Sequence, residues 1–392
     1  MNIAFTAALS WSSSIKANHM TNLEIVSLSN RKLLNEFIRL PYILHMHHSG
    51  WTPPLHRDER DYLDPGKNPG FRYCDATLAL ALLDGRPVGR IMGVVNNRYN
   101  LSKNVKTARF CLFECINDQE TAHMLFEYIG RWAQEKDMTE IIGPFGMYYH
   151  DPTGFIVEGM EHPPALSTYV NFDYIPPMVE KEGYTTAKEF RVYRIEVPAE
   201  MPPVYQRIEK KIKTNVNLKR INFTSRRQLK PYIMSVVRLL NETYEDIHGY
   251  SRLDDVEVEN IAGQYLKYLD PALIKAVEYE GELAGFIIAM PNISKGLIAA
   301  KGHLFPFGFM HLLLSAKRSE QLDLLLGGIK KKYQGIGIDI LLGMELLATA
   351  RSKKFSIIDS HLELETNFKI HAEMEKVGGK VYKKYRLYQK SL

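Results

Sequence analysis

Two alternating stretches dominate the apolar pattern of the chain. LALALLDGRPVGRIMGV and IKAVEYEGELAGFIIAM each read as two strands joined by a tight turn, with Asp84 and Gly85 at the first turn and Glu280 and Gly281 at the second. Gly89 and Gly285 follow at the same distance, so the second stretch repeats the first at an offset of 196 residues. Two further sets lie at an offset of 195: Glu180, Lys181 and Gly183 with Glu375, Lys376 and Gly378, and Phe190, Arg191 and Tyr193 with Tyr385, Arg386 and Tyr388. Three matches at nearly one spacing imply a duplication. Each copy reads as strand, one or two helices, hairpin, third strand, helix, strand, helix, strand. The expected fold is therefore α/β (α+β), with two tandem domains that each hold a mixed twisted sheet flanked by helices. An extension at 1–22 precedes copy one (23–197), and a Pro-rich linker at 198–203 (PAEMPP) leads to copy two (204–392).

The copies differ where chemistry would occur. In copy two, residues 322–329 (LDLLLGGI) read as a buried strand and 338–350 as an apolar-faced helix, with KYQGIG between them. Gly335 and Gly337 at such a junction let backbone N–H groups turn toward an anion, and the helix N-terminus adds partial positive charge. Lys330, Lys331 and Lys332 place cations beside it. A plain strand-to-helix turn needs glycine as well, and six residues alone do not separate the two readings. Copy one has Asn117, Asp118, Gln119 and Glu120 at the matching junction, where carboxylates cap a helix and repel phosphate. Copy one carries an extra apolar and aromatic stretch at 146–169, and copy two carries another at 292–319. These stretches either wall a channel or pack the domains together.

Composition narrows the functional classes. A chain of 392 residues with 45% apolar and 24% charged residues is a globular protein of about two domains. A net charge of +5 without an arginine and aromatic stripe gives no case for nucleic acid; an anionic cofactor or membrane surface suits it. The three cysteines Cys74, Cys111 and Cys115 fit a reducing, cytoplasmic setting and core roles, and no metal site is expected. No apolar run is long enough for a spanning helix, and the first residues lack the basic start of a signal peptide, with Met20 an alternative start.

Copy two resembles the GNAT superfamily of N-acyltransferases. That family's loop has Arg or Gln, two residues, Gly, one residue, then Gly or Ala; Lys332, Gly335 and Gly337 hold this spacing. Asn367, with Gly378 eleven positions on, matches the family's next landmark, whereas Met374 stands where many members place an acidic tyrosine. The resemblance implies an acyl-coenzyme A cosubstrate, its diphosphate on the N–H groups of Gln334, Gly335, Ile336 and Gly337. Its pantetheine arm would lie between splayed strands at 324–329 and 356–364, beside Gly327, Gly328 and Ile329, with N–H groups near Gly327 and Gly328 stabilising the oxyanion. The attacking amine must be neutral, so a base is needed. Asp359, His361, Glu363 and Glu365 are the candidates, and strict alternation would set all four on one face, open to solvent or to a groove. His303 and His311 are weaker candidates. Thiolate protonation would fall to water, Tyr382 or Tyr385, and His150, Asp151 and Glu158 of copy one are possible contributors.

The whole chain also resembles a group of tandem-GNAT bacterial proteins, through WTPPLHRDERDYLDPGKNPGF, IIGP at 141–144 and GGKVYKKYRLYQK. Some of that group are ceramide synthases, which implies a long-chain, sphingoid-type amine. The apolar but Gly- and Pro-broken run at 296–314 fits a tunnel wall or an interfacial patch, and the basic run at 207–230 fits anionic headgroups or a solvated face. Three classes stay open: an acyl-coenzyme A dependent N-acyltransferase acting on a lipid or smaller amine, a cell-wall aminoacyl transferase, and a silent acyl-coenzyme A sensor. The absence of a long helical hairpin within copy two argues against the second, while Met374 is the best argument for the third.

Overall fold

The computed structural model describes residues 21–200, 217–266 and 268–392. The N-terminal extension almost entirely, part of the linker and the start of the basic run at 207–230 lie outside those residues. Among the described residues, fourteen strands form one sheet: β1 (Thr21–Ile25), β2 (Cys74–Leu83), β3 (Arg86–Asn96), β4 (Thr107–Cys115), β5 (Glu140–Gly143), β6 (Phe155–Glu158) and β7 (Thr185–Glu196) from the first half. The second half gives β8 (Leu218–Asn222), β9 (Ile274–Tyr279), β10 (Glu282–Pro291), β11 (Gln321–Ile329), β12 (Ile357–Asp359), β13 (Glu363–Leu364) and β14 (Lys380–Ser391). Helices that matter below are α1 (Arg31–Leu44), α2 (Gln119–Glu135), α3 (Ile233–Thr243), α4 (Ser294–Ala300), α5 (Gly308–Arg318), α6 (Ile338–Ser352) and α7 (Phe368–Lys376).

The repeated hairpins have the same turn. Asp84 and Gly85 have φ of 51° and 75°, and Glu280 and Gly281 have 52° and 83°. Two consecutive positive φ values match the right-handed twist of the flanking strands, which is why an acidic residue followed by glycine recurs there. In each half a parallel pair follows: β4 with β5, and β11 with β12. α2 and α6 cover the sheet with Leu125, Phe126 and Ile129 in one core and Leu341, Leu342 and Leu346 in the others.

The order along the sheet is β1-β2-β3-β4-β5-β14-β7-β12-β11-β10-β9-β8. The last strand of each half thus completes the sheet of the other: β14 pairs with β5, and β7 pairs with β12 and β13, while β7 and β14 pair with each other. Tyr385, Leu387 and Tyr388 of β14 are buried at this seam. Pairing removes the exposed edge that each half-sheet would otherwise present. No helix among the described residues is long and apolar enough to cross a membrane.

Candidate active site

The junction between β11 and α6 is an open loop at the place where the sequence leads one to expect an anion cradle. Gly335 and Gly337 have φ of 82° and 93°, values that a residue with a Cβ adopts only with strain. A Cβ on Gly335 would meet no atom within 4 Å, so the loop has free space beside it. Gly337 is the N-cap of α6, and no side chain caps that helix end. Its first N–H groups therefore lack the partner that a helix end usually has. Copy one shows the contrast, since the Asp118 carboxylate accepts from the Thr121 N–H at 2.8 Å and closes the end of α2. The loop lysines turn away from the cradle. Lys330 and Lys332 both bind Glu282, which also accepts from the Tyr333 hydroxyl at 2.6 Å, and Lys331 binds Asp246 at 2.7 Å. Hydrogen bonds from Lys330, Lys332 and Tyr333 hold the Glu282 carboxyl down at about 2. Lys332 thus braces the loop through β10, while Gln334 and Gly335 line the cavity next to it.

From the cradle a slot runs down the sheet. β11 and β12 pair at Gln321–Asp323 with Ile357–Asp359 and then part. The register between β10 and β11 shifts at Ile288/Ala289, leaving Leu325 as an extra residue in β11. A bulge of this kind turns backbone groups out of the ladder. Gly327 stays in register opposite Ile287 of β10, and its N–H and C=O both meet the hydroxyl of Tyr244, at 3.4 and 2.8 Å. The ring of Tyr244 packs edge-on to Tyr149 and Tyr250, at 5.4 and 5.6 Å between centroids. Burial raises the Tyr244 hydroxyl to about 12, keeping it protonated. This aromatic cluster was not found by sequence reasoning, because tyrosines near a helix end read as ordinary core and carry no spacing signal.

The strand beyond Asp359 departs from the expected alternation. Ser360 N–H donates to Tyr193 O and Tyr193 N–H donates to Ser360 Oγ, both at 2.9 Å, and His361 takes a φ of 62°. Asp359 sits opposite Arg194 on β7, whereas Glu363 sits opposite Arg191, three positions away. Paired residues share a face and successive residues alternate, so Asp359 and Glu363 lie on opposite faces of the sheet. The four polar groups therefore do not share one face. Asp359 is fully buried; it accepts from Tyr382 Oη and from His361 N–H, the latter at 2.7 Å, with Lys383 Nζ at 3.5 Å. Asp323 lies beside it, bound by Asn292 and Gln321, its carboxyl raised to about 7 by burial and by the charge of Asp359. Neither Asp359 nor Tyr382 lines the cavity. Glu365 faces outward in a 3.8 Å pair with Arg191.

His361 and Glu363 do reach the cavity. Nε2 of His361 lies 2.9 Å from Leu166 O, which assigns the proton to Nε2 and leaves Nδ1 as an acceptor; burial lowers its affinity for a second proton. The Glu363 carboxyl is raised to about 8, first by burial and then by the charge of Glu373. Asn367 caps α7, accepting from Ile370 N–H at 3.4 Å, and both Asn367 and Met374 line the cavity. Glu373 on the same helix is itself raised by burial and by Asp339 in the first turn of α6.

The cavity has a volume of 3180 Å³. Both apolar insertions line it: Tyr148, Tyr149 and Tyr169 from the first half, and Leu297, Leu304 and Leu312 from the second. They wall a shared space and bind one another, since Asn292 and Ser294 donate to Pro164 O at 2.9 and 2.7 Å. His150 and Asp151 line it too, with Tyr62 Oη donating to Asp151 at 2.7 Å, whereas Glu158 lies outside in a 2.8 Å pair with Lys384. Among the weaker histidines, His303 packs against His56 with its ring tilted by 33° at 4.5 Å between centroids, and both His303 and His311 are exposed. The corresponding slot in the first half is filled by its own chain: Tyr169 Oη accepts from the Leu112 N–H at 3.2 Å, and Phe155 is fully buried beside it.

No protein-family model matches the chain. Over 379 residues it is 27% identical to the bacterial ceramide synthase of Caulobacter vibrioides, spanning 95% of this chain and 98% of that protein. Protein YghO of Escherichia coli K12 is 25% identical over 374 residues, spanning 93% and 94%. A tandem GNAT protein from the clavulanic acid biosynthesis pathway superposes with a TM-score of 0.55 at 11% identity, covering 95% of this chain and 98% of the other. A GCN5-related N-acetyltransferase from Sphaerobacter thermophilus gives 0.52 at 11% identity, covering 95% of each. These structures share the tandem fold.

Proposed function

We propose that this tandem GNAT-fold protein, similar over nearly its whole length to a bacterial ceramide synthase, is an N-acyltransferase that moves an acyl group from acyl-coenzyme A to a long-chain primary amine. One observation carries the reading: an uncapped anion loop and a parted strand pair open into a single, largely apolar cavity. At 3180 Å³ it is several times the roughly 300–1,000 Å³ of a small-molecule site, large enough for an acyl chain and a second alkyl chain together.

The residues divide the work as follows. Helix α6 and the N–H groups of Gln334, Gly335, Ile336 and Gly337 hold the diphosphate. Gly327, Gly328 and Ile329 border the pantetheine, and N–H groups along the open edge of β11 face the thioester oxygen, a contribution of a few kcal/mol in the transition state. The amine nitrogen bonds to the carbonyl carbon and the C–S bond breaks. Glu363 takes the amine proton, its raised pKa bringing it close to the operating pH. Tyr244, already at Gly327 and protonated, supplies the thiolate's proton; Tyr382 and Tyr385 are both withdrawn from the cavity. The second half binds the cosubstrate, and the first half lends cavity wall.

Titrating free thiol with acetyl- and palmitoyl-coenzyme A, each with and without a long-chain amine, tests this. Thiol release that needs the amine and favours the long chain is expected. Release restricted to acetyl transfer onto small amines would instead make the protein a small-molecule N-acetyltransferase. Binding without release would make it a silent sensor, the reading that Met374 favours.

A further inference from the structure

The α4–α5 hairpin presents apolar side chains to solvent that a folded monomer ordinarily buries. Among the eleven residues of α5, GFMHLLLSAKR, Gly308 alone is buried. Phe305 is 75% exposed, Phe307 67% and Leu313 65%, and Met310 and Leu314 are nearly half exposed. Contiguous apolar surface of this kind marks an interaction site. It is a built feature rather than a frayed loop. A Cβ on Gly296 of α4 would lie 2.7 Å from His311 O and 2.8 Å from Ser315 Cβ, so the two helices touch backbone to backbone. Ser294 and Gly302 tie the hairpin to the first half through Pro164 O and the His56 N–H.

Charge and continuity identify what covers it. Residues 292–319 contain no Asp or Glu, and Lys295, Lys301, Lys317 and Arg318 stand exposed around the apolar side chains. Apolar side chains within a cationic rim suit an anionic lipid surface. Phe305, Phe309 and Leu313 are at once solvent-exposed and part of the cavity lining, so the patch is the cavity's mouth.

We propose that this hairpin seats the protein on an anionic bilayer, its phenylalanines and leucines entering the headgroup boundary and its lysines meeting lipid phosphates. A long-chain amine then passes from the bilayer into the cavity without crossing water. The route rests on the acyltransferase reading; the docking does not.

Vesicle co-sedimentation of the full-length protein without substrate tests the docking. Phosphatidylcholine vesicles containing phosphatidylglycerol are compared with phosphatidylcholine alone. The wild type is expected on the anionic vesicles, and the triple variant Phe307→Ser, Met310→Ser, Leu314→Ser is expected to partition about tenfold less. The variant Lys295→Glu, Lys301→Glu is expected to lose anionic preference by a similar factor. None of these five residues lines the cavity, so coenzyme A affinity by calorimetry should be unchanged and reports that the fold is intact. Absence of the wild type from both vesicles, or equal sedimentation of the triple variant, overturns the proposal. So does a concentration-dependent dimer in ultracentrifugation that the triple variant abolishes, which would give the patch to a second copy. Failed sedimentation beside intact thiol release sinks the docking alone, and sedimentation without thiol release sinks the acyltransferase reading alone.

Discussion

Replacing Glu363 by Gln keeps the side-chain shape and removes the proton site. The folded chain holds that proton to about pH 8, whereas the ordinary carboxyl releases it at 4.5. Between these values the folded state carries a proton that the unfolded chain has lost. Stability therefore falls as pH rises from 4.5 to about 8 and levels off above. At about 1.36 kcal/mol per pH unit, the gap sets a ceiling near 5 kcal/mol. Because the carboxyl opens on the cavity, roughly 2–4 kcal/mol of that is expected. Urea unfolding at pH 5 and pH 9 should show the wild type losing this much more stability than Glu363→Gln. In the thiol assay, wild-type turnover should rise toward a plateau above pH 8, and the variant should turn over roughly 10²–10⁴ times more slowly. Equal stability slopes together with unchanged turnover would refute the role of Glu363.

Other expectations follow from the same geometry. Arg90 and Glu59 form a fully buried pair at 2.8 Å, so Glu59→Leu alone strands the guanidinium and should cost about 3–5 kcal/mol in urea unfolding. Tyr244→Phe removes the hydroxyl at Gly327 while keeping the ring in its aromatic cluster; thiol release per bound acyl-coenzyme A should drop, with stability changed by about 1 kcal/mol. Ending the chain at Gly379 removes β14, which pairs with β5, β6 and β7, so circular dichroism should show both halves destabilised rather than the second alone.

Much of the fold was legible because its signals are local. The acidic-Gly turns are set by two residues, the copy offset by short repeated strings, and the strand-to-helix loop by Gly335 and Gly337. The exchange of β7 and β14 was not legible, since FRVYR and YRLYQ are near-copies and neither string states which half it joins. The base candidates were only partly legible. Alternation placed Asp359 with Glu363, but beyond the Ser360–Tyr193 pair the strand carries an extra residue at the His361 kink (φ 62°), so the faces invert and Asp359 joins a buried network with Lys383 and Asp323. Long-range partners such as Tyr244 and Gly327, or Tyr169 and Leu112, leave no periodic trace in the chain.

The proposed diphosphate cradle is the point on which the rest depends. Isothermal titration of coenzyme A into the wild type and into Gly337→Val tests it directly, since Gly337 opens α6 at a φ of 93° that valine resists. Saturable wild-type binding with a large loss of affinity in a folded variant is the expected result. Equal affinity in both proteins, or no heat with the wild type, would contradict it.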